Sequence, residues 1–173
     1  MGIGKYHRYL PGKQTRLNDM YPHLLATHNL LRWIFLVFLL ISLAQAYSGW
    51  LGNRPFTKLA NTFKTLTVST IHLQFILGLI LYFVSPIVAE FLGDVGGSMK
   101  NKDLRFFGIE HVVMMLLAVV AVTIGSAKSK RQPTDTAKYK TIAIWFTIAL
   151  LLVLVAVPSE FSPMNVRPNF RAF

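Results

Sequence analysis

Long apolar stretches separated by short polar ones dominate the chain, and four of them approach or exceed membrane-spanning length, which is about 20 residues in a helix. The first runs from Leu24 to about Leu51, with a charge-free core from Trp33 to Leu51. The second, Thr65 to Ala89, carries no charge, and the third, Phe106 to Ala127, is broken only by Glu110 and His111. The fourth runs from about Thr141 to Val157 and stops at Pro158. Each is too apolar on all faces to lie on a protein surface. Backbone polar groups in lipid must be satisfied within the segment, which selects helices. No stretch alternates with a period of two, so a barrel is disfavoured. The connections are short, which makes neighbouring helices antiparallel. The pattern therefore predicts an all-α polytopic membrane protein: an antiparallel four-transmembrane-helix bundle over residues 24–157, with polar N- and C-terminal tails at 1–23 and 158–173. The first stretch is not read as a cleaved signal peptide, because its apolar core is too long and begins too far into the chain.

Composition agrees with this pattern. Of 173 residues, 53% are hydrophobic and 14% charged, with a mean hydropathy of +0.47. A soluble domain carries about 25% charged residues. A soluble fold, a disordered chain and a disulfide scaffold are all disfavoured. The absence of Cys removes disulfides, thiolate catalysis, iron–sulfur clusters and Cys-ligated zinc.

The net charge of +11 would suggest nucleic acid in a soluble protein. Here the Lys and Arg flank apolar runs, where they face headgroups and set orientation, so no nucleic-acid partner is expected. The loops at 52–64 and 128–140 hold eight Lys or Arg and one acid, Asp135. Weighting short loops, the positive-inside rule places these two loops in the cytoplasm. Both termini then lie on the opposite, periplasmic side of a bacterial inner membrane. The tails contain Pro11, Pro22, Pro158, Pro163 and Pro168 and aromatics without helical period. Such tails are mobile alone, and the expectation is that other membrane-protein subunits hold them.

Ionisable groups inside a span are costly and are functional candidates by default. There are five: His28, Arg32, His72, Glu110 and His111. His28 and His111 each lie near the end of their span on the same side of the membrane, hence at similar depth. His72 enters from the other side and lies on the order of 10–15 Å from them along the normal. Two neutral imidazoles from different helices at one depth can hold a haem iron between them. Arg32, one turn after His28 on the same face, can pair a haem propionate or Glu110. The face of His111 continues through Gly108, Met115, Ala118, Val122 and Gly125. Those small residues leave space for a cofactor, although the same pattern serves close helix packing. The expected cofactor-binding set is His28, His111, Arg32 and His72, with His28 and His111 on the metal. His72, near Gln74, Ser69 and Thr70, can instead meet a quinone or a lipid headgroup. A zinc site from His28, Glu110 and His111 is disfavoured, because adjacent helical residues point about 100° apart. No P-loop, dinucleotide fingerprint or Ser/His/Asp constellation occurs. Trp33, Tyr47, Trp50 and Tyr82 sit near span ends, as aromatic belts do.

The stretches HNLLRWIF (28–35), SGW (48–50), IHLQFILGLILYFVSP (71–86) and RFFGIEHVVMM (105–115) resemble small bacterial four-span membrane proteins labelled cytochrome-b-like. The resemblance covers about residues 24–157 and excludes the tails. It implies histidines at His28, His72 and His111 with an acidic neighbour at Glu110. More broadly the chain is similar to four-helix b-type haem subunits of respiratory enzymes and to one half of haem A synthase. It departs from them in having no His in its fourth span, which leaves a second bis-His haem without a ligand pair.

Three functions are expected on these grounds. The first is a haem b-binding subunit transferring electrons between a quinone and a partner protein within a larger membrane complex. The second is a cofactor-free accessory subunit of such a complex. The third, a small transporter or proton conductor using His72 or Glu110, ranks last, because the chain lacks broken helices in matched halves.

Overall fold

The computed structural model describes residues 11–158, with side chains from Met20 onward, and every regular element among them is helical. The elements are α1 (Pro11–Leu51), α2 (Lys58–Val84), α3 (Pro86–Gly93), α4 (Val95–Ser98), α5 (Lys102–Arg105), a π-helical turn (Phe106–Glu110), α6 (His111–Lys130) and α7 (Asp135–Ala156). Four helical segments are long and apolar enough to cross a membrane: Met20–Leu51, Lys58–Val84, Lys102–Lys130 and Asp135–Ala156. The protein is thus a multi-pass membrane protein, as the hydropathy pattern predicts.

Two boundaries differ from the expectation. α1 begins at Pro11 and runs through Pro22, so the helix enters the stretch assigned to the N-terminal tail. The second span ends at Val84, where Ser85 adopts φ −75° and ψ 125°. The cause is local: a residue before proline is pushed out of the helical region, and Pro86 then opens α3 at its first position, where its missing N–H costs nothing. The tail segments 1–10 and 159–173 lie outside the described residues, as does the expectation that partners hold them.

The four long helices pack in a ring of neighbours, α1 on α2 and α7, and α6 on α7 and α2. Side-chain bonds fix their register. Ser42 Oγ and Thr67 Oγ1 lie 2.8 Å apart between α1 and α2, and Tyr47 OH and Thr147 Oγ1 lie 2.9 Å apart between α1 and α7. Leu39, Thr67, Ala118, Val122, Ala143, Phe146 and Ala149 are fully buried at the centre. Small residues bring the backbones together: a Cβ on Gly49 would fall on the Tyr139 ring and one on Gly125 on Trp145. In lipid such close approach, rather than hydrophobic exclusion, drives helix association. Phe83, Leu151 and Leu40 point outward, as lipid-facing side chains do.

The segment between the second and third spans is more ordered than a plain connection. Ser85, Asp94 and Asn101 cap α3, α4 and α5 with their side-chain oxygens, each satisfying orphan N–H groups at a helix start. Val88 and Phe91 of α3 are buried. Phe91 covers the site of a Cβ on Gly108. α3 therefore folds back over one end of the bundle.

Candidate functional site

Where α3 folds back, the helices leave a cavity of about 400 Å³, within the usual range of small-molecule sites. Its polar lining comes from α1 (Tyr21, His28, Asn29, Arg32) and α2 (Gln74, Tyr82), with Ser85 between α2 and α3 and His111 at the start of α6. Apolar side chains, among them Phe35, Phe107, Met115 and Val119, make up most of the rest.

His111 is aimed by two devices. The π-turn Phe106–Glu110 immediately precedes it. One extra residue in a helical turn rotates the next turn and loosens the backbone ladder, a feature found often at functional sites. The Gly108 carbonyl in this turn accepts a bond of 2.9 Å from Tyr82 OH, so the aromatic expected in an interfacial belt instead ties α2 to the turn. The second device is a bond of 2.8 Å between His111 Nδ1 and the Ala156 carbonyl at the end of α7. A carbonyl only accepts, so the proton sits on Nδ1 and the Nε2 lone pair is left available.

His28 lies on the facing side. Gly78 gives it room, since a Cβ there would stand 3.1 Å from His28 Cε1. Its backbone carbonyl accepts a bond of 2.9 Å from Gln74 Nε2. His28 Nδ1 and Gln74 Oε1 are both buried without a hydrogen-bond partner. Buried polar atoms are nearly always paired, so these two stand out among the side chains of the cavity-lining residues. His28 and His111 line the same cavity.

Arg32 also lines the cavity. Its Nη1 donates to the Pro158 carbonyl at 3.2 Å, and its Nη2 donates to Asn29 Oδ1 at 2.7 Å. The expected Arg32–Glu110 pair does not form. Glu110 accepts instead from Arg105 Nε at 2.6 Å, because Arg105 sits one π-helical turn before it.

His72 does not join this site. Its Nδ1 lies 2.7 Å from the Val68 carbonyl and its Nε2 3.2 Å from Thr123 Oγ1. The first contact lies within α2, and the second links α2 to α6. His72 is absent from the lining of the cavity that holds His28 and His111. Among the described residues no three His, Cys, Asp or Glu come together as a metal-holding group. Sequence reasoning missed Gln74 as a lining residue of the His28 pocket, and Gly78, Tyr82 and Asn29 as its supports. Asn29 and Gln74, amides in otherwise apolar stretches, were the available signal.

Comparison with protein-family models, with curated proteins and with solved structures gave no match.

Proposed function

We propose that the chain is a haem b-binding subunit of a bacterial inner-membrane complex, an antiparallel four-helix bundle that passes electrons between a quinone and a partner protein. The observation that carries this reading is the meeting of His28 and His111 on one cavity, with the His111 tautomer fixed by Ala156. A neutral imidazole whose Nδ1–H is held by a carbonyl would have its Nε2 lone pair free to hold a haem iron. His28, which lines the same cavity, would be the second residue to hold the group. Only two such groups are needed, so the absence of a larger ligand cluster among the described residues is compatible with the reading.

Haem bound here would supply a one-electron carrier in a medium that excludes water. The chain's own contribution is orientation and charge. Ala156 and the π-turn set the His111 ring, Gly78 and Gln74 set His28, and Arg32 places a cation beside the cavity where a propionate would be neutralised. In this reading the basic loops face the cytoplasm and the cavity lies toward the periplasmic side.

The test is the visible spectrum of dithionite-reduced protein purified without cofactor stripping. A Soret band with reduced α and β bands is expected in the wild type and is lost in His111→Ala and in His28→Ala. A wild-type preparation without these bands, folded by circular dichroism, rejects the proposal and leaves the accessory-subunit reading.

A further inference from the structure

At the opposite end of the bundle a second cavity is built almost entirely from polar and basic side chains. It is lined by Lys58, Lys64, Lys130 and Lys138, with Asn61 and Ser129 among the neutral groups, and no carboxylate belongs to its lining among the described residues. Asp135 lies nearby, but its two oxygens are taken by Lys138 Nζ at 2.8 Å and by the Phe56 N–H at 2.9 Å. Lys64 is the unusual member. It is 2% exposed, and its partners are neutral: Asn61 Oδ1 at 2.8 Å and the face of the Phe56 ring, whose centroid is 5.8 Å away.

A buried ammonium in a membrane protein is costly and is a functional candidate by default. Lys58 and Lys130 on the same cavity, beyond Lys138 whose charge Asp135 balances, make the site attractive to an anion before one arrives. Lys64 lies six residues into α2, about 9 Å from the helix start at 1.5 Å per residue. Along the face of Thr62, a lining residue, positions four and eleven residues further on are Leu66 and Leu73, both exposed. The basic cavity thus continues into an apolar flank suited to acyl chains.

We propose that this cavity binds the phosphate of an anionic phospholipid from the surrounding leaflet, with Lys64 as the buried contact and Lys58, Lys130 and Lys138 around it. Basic pockets between membrane helices on the cytoplasmic side are suited to such headgroups. The shared chemistry with free phosphate is the oxyanion. The apolar flank is the feature that favours the lipid.

The experiment uses the full chain, purified in mild detergent and measured by native mass spectrometry after titration with phosphatidylglycerol, phosphatidylcholine or inorganic phosphate. One phosphatidylglycerol is expected to bind per chain, with phosphatidylcholine at least tenfold weaker. Lys58 and Lys130 are exposed, so a Lys58→Gln, Lys130→Gln variant keeps the fold. It should bind phosphatidylglycerol roughly thirtyfold more weakly, at about fivefold for each lysine near a lipid surface. Lys64→Gln should weaken it further, while Arg105→Gln at the other end should leave it unchanged. Equal binding of both lipids, or unchanged binding in the double variant, overturns the proposal. Tight binding of inorganic phosphate that displaces the lipid converts the site into one for a free anion and overturns the lipid assignment.

Discussion

At the scale of single residues, the two histidine classes separate by the partners of their ring nitrogens. His111 has one nitrogen bound to Ala156 and one left available, whereas His72 has both engaged, with Val68 and Thr123. Under the proposed function, His72→Ala is therefore expected to leave haem binding unchanged, read by the reduced visible spectrum. It should cost only about 0.6 kcal/mol in unfolding free energy, the typical worth of an interhelical hydrogen bond in a membrane. Gly78→Leu is expected to do the reverse. Its side chain would press on the His28 ring, so haem content per chain should fall at least tenfold while the helical circular dichroism stays. The sequence made His28, Arg32 and His111 visible as charges or imidazoles at one depth, because depth is set by rise per residue alone. It could not distinguish His72, because that depends on whether Thr123 of another helix lies within bonding distance. Nor could it pair Arg105 with Glu110, a neighbour relation created by the π-turn.

At the scale of elements, all four spans were legible because hydrophobic length is a one-dimensional property. Their ends were not, because capping and proline decide them. Ser85 and Pro86 cut the second span short, and α1 extends past the predicted start to Pro11. The fold-back of α3 was hidden for another reason: Gly108 reads as one more small residue on a face, whereas its role is to admit the Phe91 ring. Gly108→Ala must displace that ring and is expected to lower stability by about 1–3 kcal/mol, the usual cost of overpacking. Tyr82→Phe should cost about 1–2 kcal/mol by leaving the Gly108 carbonyl unsatisfied in a buried turn. Both are measurable by thermal unfolding in detergent, and both should also broaden or shift the haem bands, because the π-turn positions His111.

At the scale of the whole molecule, the arrangement is polarised, with an imidazole-lined cavity at one end and a lysine-lined one at the other. The absence of cysteine makes orientation directly measurable. Single cysteines placed at Lys100 and Arg131, both exposed, lie at opposite ends. In intact cells a membrane-impermeant maleimide is expected to label Lys100→Cys and to spare Arg131→Cys until the membrane is opened. The opposite pattern reverses the assigned orientation. Charge counts made only a weak statement here, since basic residues occur on both sides, and the positive-inside rule had to rest on two short loops.

The last turn of α7 does more than end a helix. Its Ala156 carbonyl holds the His111 ring, and the carbonyl of Pro158, two residues on, holds Arg32. Two cavity groups from two other helices are thus moored within three consecutive residues at and just past the end of α7. Any protein that grips the polypeptide beyond Pro158 has a lever on both: a small shift there is transmitted through two hydrogen bonds to the imidazole and the guanidinium.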